Sequence, residues 1–206
     1  MELQIALDAV SPGRGIQIVT AARDYVDIIE MGTGFLLMNG FHPISVFKEL
    51  FPEKKILADT KIMDGGYHIA KTAFEAGADI VTTCCCAEEA TVRGVNQAAK
   101  DMGGEVLVDL IALDDYVEQA KLLNPLKIDY VCAHMAVDTE QDNDIASFFE
   151  KLNTVHFDAK ISLAGGITIE RLPEIMKYQP DVLIIGRAIT EAADPAEAAK
   201  TFKMAK

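Results

Sequence analysis

A few residue types in this chain could do chemistry if they met. Asp59, Lys61 and Asp64 form a D-x-K-x-x-D element, an ammonium between two acids. Asp8 closes the apolar run LQIALD, Glu30 closes VDIIE, and Asp109 stands near the end of EVLVDLI. His134 closes DYVCAH, Gly165-Gly166 follow KISLA, and Gly186-Arg187 follow DVLII. One such residue after an apolar run is simply a strand returning to solvent. Six runs that end this way argue for one shared mouth.

The chemistry of such a mouth follows from its donors. Asp8, Glu30, Asp59 and Asp109 around one opening would repel one another and raise each other's pKa unless a cation neutralised them. Oxygen-only ligands suit a hard divalent ion, Mg²⁺ first, with Mn²⁺ as the alternative. Lys61 supplies a second cation, and the acids around it keep it charged, which disfavours a Schiff base. His134 is the one histidine at a strand end, and an imidazole there suits proton transfer. His42, His68 and His156 read as structural or surface residues. Glycine-exposed N–H groups at Gly165, Gly166 and Gly186, with the Arg187 guanidinium, make an anion site, so the metabolite is expected to carry a phosphate. Thr168 is placed to cap the helix after the glycine pair. Neither a GxGxxG nor a Walker loop occurs, which argues against a nucleotide cofactor.

These residues need a scaffold that brings strand ends together. Eight short apolar, β-branched runs start at Leu3, Val26, Lys55, Asp79, Glu105, Asp129, Lys160 and Asp181. Near-continuous apolarity means burial on both faces, as in a parallel sheet. The stretches between them carry helix punctuation: Ser11-Pro12, the Asp194-Pro195-Ala196-Glu197 box, and an Ala-rich segment closed by Gly103-Gly104. Asp79, Asp129 and Asp181 each stand at the turn into a strand. Eight βα units in 206 residues predict a single-domain (β/α)₈ TIM barrel over residues 1–206. A doubly wound sheet would use about five strands.

Composition bounds the rest. With 19 basic and 32 acidic residues the net charge is −13, which lacks the basic footprint of a nucleic-acid surface. Half the residues are apolar and a quarter charged, an ordinary globular balance. No apolar run approaches the length of a membrane span, and MELQIALD does not read as a secretory signal, so a cytoplasmic location is expected. Cys84-Cys85-Cys86 and Cys132 lack metal-finger or redox spacing and read as small buried strand residues.

Taken in order, IALD, IIEMGT, LADTKIMDGG, VDLI, CAH, LAGGI and IGRAITEAADPAEAA resemble the orotidine-monophosphate-decarboxylase-type barrels over essentially the whole chain. Within that group the motifs are most similar to the 3-hexulose-6-phosphate synthases, with the 3-keto-L-gulonate-6-phosphate decarboxylases as near relatives. Asp109 in VDLI looks like the synthases, where the decarboxylases have Glu. Val137 stands where the decarboxylases carry a second Arg. The resemblance implies that Glu30 and Asp59 ligate Mg²⁺, that Asp8, Lys61 and Asp109 hold substrate hydroxyls, and that Gly165, Gly166, Gly186 and Arg187 bind phosphate. It further implies that His134 shuttles the proton and that Asp64 reaches into the neighbouring subunit's site of a homodimer. The reaction implied is condensation of formaldehyde with D-ribulose 5-phosphate through a 1,2-enediolate. The alternatives are the decarboxylase reaction and a noncatalytic sugar-phosphate-binding barrel.

Overall fold

The computed structural model describes residues 1–113, 115–136, 138 and 149–205. Its strands are β1 (Glu2–Leu7), β2 (Ile28–Met31), β3 (Lys55–Ile62), β4 (Ile80–Cys84), β5 (Glu105–Asp109), β6 (Tyr130–His134), β7 (Lys160–Ala164) and β8 (Val182–Ile185). They close in sequence order into one parallel barrel, β8 pairing with β1. The expected (β/α)₈ architecture is therefore present. The helices described on its outside are α1 (Pro12–Ala22), α2 (Thr33–Asn39), α3 (His42–Leu50), α4 (Gly66–Glu75), α5 (Glu89–Met102), α6 (Tyr116–Leu123), α7 (Leu172–Ile175), α8 (Arg187–Thr190) and α9 (Pro195–Met204). Among the described residues no helix is long and apolar enough to cross a membrane.

Alternation along each strand builds two cores. Leu3, Ile5 and Leu7 point outward into the shell beneath the helices, as do Val106 and Val108 of β5. Ile28, Leu57, Ile80, Leu107, Tyr130 and Val182 fill the barrel. The floor is charged and paired. Lys55 bonds Glu105 at 2.5 Å, Lys160 bonds Glu2 at 3.0 Å, and both ammonium groups lie over the Tyr130 ring. Among the described residues these pairs thus close the interior at the N-terminal ends of its strands, and its cavity lies at the other end.

Punctuation behaves largely as its chemistry dictates. The Ser11 hydroxyl accepts from Arg14 N, and Asp194 accepts from Ala196 N and Glu197 N, each opening a helix with Pro at its first position. Glu197 turns to Lys200 at 3.2 Å. Gly103 takes the left-handed conformation that ends α5. Thr168 does not cap a helix. Its carbonyl starts a turn by accepting from Arg171 N, and the helix begins only at Leu172.

The acids at strand entries form a repeating clamp. Asp79 Oδ2 accepts from Ile56 N at 2.7 Å, Asp129 Oδ2 from Val106 N at 2.9 Å, and Asp181 Oδ2 from Ile161 N at 2.8 Å. Asp27, which the sequence pattern hides inside VDIIE, does the same to Leu3 N at 2.7 Å. Each even-numbered strand so braces the start of the odd strand before it. Part of the connection from β6 to β7, residues 137 and 139–148, and with it Val137, lies outside the described residues.

Candidate active site

The open end of the barrel holds a cavity of about 740 Å³. It is lined by Asp8, Glu30, Asp59, Lys61, Asp109 and His134, and by Gly165, Gly166, Gly186 and Arg187. Strand ends converge, so the site residues expected from sequence meet there, with one exception. Asp64 lies outside the cavity, exposed, and its carboxylate accepts from Gly65 N. His42, His68 and His156 are exposed, far from any such role.

A backbone irregularity explains how Asp59 and Lys61 both reach the interior. Ala58 pairs with Val81 but Ile62 pairs with Thr83, so four steps along β3 face two along β4. Lys61 takes a left-handed backbone, φ 42°, inside this bulge. Its N–H is held by Thr82 Oγ1 at 2.9 Å, and Thr82 in turn donates to Asp59 Oδ1 at 2.8 Å. Thr33 Oγ1 donates to Asp59 Oδ2 at 2.7 Å. The strand therefore runs past Asp59, where the sequence places its end, to Ile62. β2 likewise continues one residue beyond Glu30.

Lys61, Asp109 and His134 form one bonded unit. Lys61 Nζ lies 2.9 Å from Asp59 Oδ2 and 3.0 Å from Asp109 Oδ2. His134 Nδ1 lies 2.8 Å from the same Asp109 oxygen. The other oxygen of Asp109 accepts from Ile111 N at 2.9 Å. Burial alone would raise the Asp109 pKa, but the His134 hydrogen bond and the Lys61 charge hold it below its usual value. Burial likewise works against the Lys61 charge, yet Asp59 and Asp109 lift its pKa above the ordinary lysine value. Lys61 is a permanent ammonium here. An anionic acceptor at Nδ1 fixes that proton in place and leaves Nε2 as the basic nitrogen.

The acidic side of the cavity fits a hard cation. Glu30 is buried, its Oε2 bonded by Gln4 Nε2 at 2.7 Å. Burial first, then Asp59 and Asp8, push its pKa up to about 8. Asp8, exposed at the rim but walled by the cavity, is raised by burial and by Asp59. Three carboxylates that disfavour each other's charge are an oxygen donor set for a divalent ion. Glu30 and Asp59 are the buried pair among them. Gly32 makes room for Asp8, since a Cβ there would stand 2.0 Å from Asp8 Oδ1.

The ends of β7 and β8 carry the glycines. Gly165 and Gly166 have φ of 95° and 62°, conformations that side chains disfavour. A Cβ on Gly165 would meet the Met135 carbonyl oxygen at 2.0 Å. Arg171 joins Arg187 at this edge, its Nη1 bonding the Gly166 carbonyl at 3.1 Å. Backbone donors and two guanidiniums line the same cavity as the acids, and a Cβ on Gly186 would stand 3.8 Å from Asp8 Oδ2, so an anion and a cation could be held side by side.

Several functional residues carry no signal in the sequence. Gln4, Thr33, Thr82 and Arg171 are ordinary polar residues whose roles exist only through the register. Cys132 lines the cavity between Asp109 and His134. Cys84, Cys85 and Cys132 are buried, as their apolar context predicts, but Cys86 is exposed: the strand has ended at Cys84 and the chain turns outward.

Comparison with known proteins places this arrangement in context. Residues 1–202 match the family described as Orotidine 5'-phosphate decarboxylase / HUMPS. A 3-hexulose-6-phosphate synthase of Bacillus subtilis is 41% identical over 98% of this chain and 97% of its own. The crystal structure of 3-hexulose-6-phosphate synthase from Salmonella typhimurium superposes with a TM-score of 0.95 at 36% identity, covering 100% of this chain and 98% of that one. That of 3-keto-L-gulonate-6-phosphate decarboxylase from Vibrio cholerae gives 0.83 at 25% identity, over 98% and 95%.

Proposed function

Since the chain belongs to the Orotidine 5'-phosphate decarboxylase / HUMPS family, we propose that within it the protein is a 3-hexulose-6-phosphate synthase, a carbon–carbon lyase joining formaldehyde to D-ribulose 5-phosphate. The observation that carries this reading is the unit formed by Asp109, His134 and Lys61, a base and a fixed cation on one carboxylate. The two similar synthases stand at 41% and 36% identity, against 32% for KGPDC from Streptococcus mutans and 25% for the Vibrio cholerae decarboxylase.

Each step uses groups already placed. The glycine loops and Arg187 hold the phosphate, with Asp8 and the acidic wall at the sugar hydroxyls. His134 Nε2 takes the proton from C1, and the electron pair left behind spreads onto the carbonyl oxygen. Lys61 stabilises that enediolate without forming an imine, because its charge is locked by Asp59 and Asp109. The C1 carbon attacks formaldehyde, the new C–C bond forms, and the aldehyde oxygen takes up a proton. Asp109 has both oxygens engaged, so its part is to orient His134 and Lys61. Glu30 and Asp59 would hold Mg²⁺ or Mn²⁺, which when bound supplies positive charge for oxygens that become negative.

The reading includes a cytoplasmic homodimer with shared sites. Asp64 supports it by standing exposed next to exposed Met63, on a loop that makes no use of the carboxylate within its own cavity.

The deciding experiment compares two assays on the same preparation, with and without EDTA. Formaldehyde plus D-ribulose 5-phosphate should be consumed in a metal-dependent way. Carbon dioxide release from 3-keto-L-gulonate 6-phosphate that is the more efficient reaction would move the assignment to the decarboxylase. Binding of the sugar phosphate without turnover would leave only a binding barrel.

A further inference from the structure

We propose that the cavity contains a second metal site, made by Asp109, Cys132 and His134, that takes a thiophilic cation such as Zn²⁺. One ligand atom from each of the three lies within 4.8 Å of the other two. Asp109 is the last residue of β5, while Cys132 and His134 are two apart on β6, so alternation points both inward. Carboxylate oxygen, thiolate sulfur and imidazole nitrogen are the three zinc ligand types. All three side chains line the cavity, so a fourth position opens onto solvent or ligand, as in zinc sites that exchange. The Cys132 thiol makes no hydrogen bond among the described residues, and no step of the reaction above uses it.

Donor softness separates this site from the acidic wall. Glu30 and Asp59 offer oxygen alone, which suits Mg²⁺; a thiolate and an imidazole select later transition ions. Lys61 is the competing charge at Asp109, and it keeps its shorter contact, 2.9 Å to Asp59, when a cation enters. The protons balance simply. Cys132 releases one to solvent as its S–H bond becomes a sulfur–metal bond. The His134 proton moves from Nδ1 to Nε2 as Nδ1 takes the ion. The bound form then has no free imidazole lone pair facing the cavity, and the base is switched off. This last consequence rests on the function proposed above; the binding itself does not.

Titration of the whole protein with Co²⁺, read by thiolate-to-cobalt charge-transfer absorption, tests the site. Wild type should show the band with one equivalent, and Cys86→Ala should retain it. Cys132→Ala should abolish it. His134→Ala, its fold checked by circular dichroism, should weaken binding by at least about tenfold, since even indirect partners of a ligand cost 10–100-fold. In activity assays at saturating Mg²⁺, Zn²⁺ should inhibit wild type and chelation should reverse it. Absence of the band in wild type overturns the proposal, and so does a band that survives in Cys132→Ala. Either result leaves the assignment of the reaction standing, because neither reads turnover.

Discussion

His134 Nδ1 lies 2.8 Å from Asp109 Oδ2, the same oxygen that Lys61 approaches at 3.0 Å. One buried carboxylate thus sets the tautomer of the base and neutralises part of the cation beside it. Asp109→Asn keeps the shape but loses both functions, and kcat should fall by about 10²–10⁴, the usual worth of a positioned proton-transfer group. His134→Ala should fall in the same range. The check is steady-state kinetics beside circular dichroism. Near-normal turnover of either folded variant would remove the pair from the mechanism.

Glu30 predicts a pH dependence of stability in the metal-free protein. Its pKa stands near 8 in the fold against 4.5 for an ordinary glutamate. A raised folded value means that the fold binds this proton more tightly than the unfolded chain does. The associated stability is present below about pH 4.5 and is lost as pH rises through 8. Tm of the EDTA-treated protein should therefore decline across that window, and Glu30→Gln should flatten the decline. Added Mg²⁺ should restore Tm at pH 8 far more than at pH 5. Equal slopes for wild type and variant would refute the assignment.

Arg187 lines the same cavity as the acids, just after β8. Arg187→Ala should raise KM for a phosphorylated substrate about 10- to 100-fold with little change in kcat, the cost of a charge-assisted hydrogen bond of about 1.5–3 kcal/mol. A KM within twofold of wild type would move the phosphate elsewhere.

Asp64 and His134 should complement across subunits. Homodimers of Asp64→Ala and of His134→Ala should each be inactive, and mixing after dissociation should recover part of the activity. Mixtures that stay inactive would show that each site is built from one chain.

Much of this was legible in the residues. Eight β-branched runs gave the barrel, because strands buried on both faces cannot hide their apolarity. Reading the residue that closes each run found Asp8, Glu30, Asp109, His134 and the glycine loops, since a strand end is where a side chain changes neighbours. What stayed hidden depends on register. The two extra residues in β3 that turn Lys61 inward leave no trace in hydropathy. Thr82 matters only because it lies beside Asp59 across that bulge. Asp27 was masked by the apolar residues around it, although it repeats the clamp of Asp79, Asp129 and Asp181. Thr168 was a sound capping residue at a place where the helix starts four residues later.

Those four clamps also say how the barrel can be taken apart. Asp27 and Leu3, Asp79 and Ile56, Asp129 and Val106, Asp181 and Ile161 tie the strands in twos. A chain cut at Gly103-Gly104 yields halves that each keep two complete ties, and they should reassemble when mixed. A cut at Gly77 divides the tie between Asp79 and Ile56 and should reassemble less well. The unit that could be duplicated, exchanged or borrowed is therefore two strands long. Its joinery lies at the floor, so the rim can be rewritten for a new reaction while the carpentry beneath stays as it is.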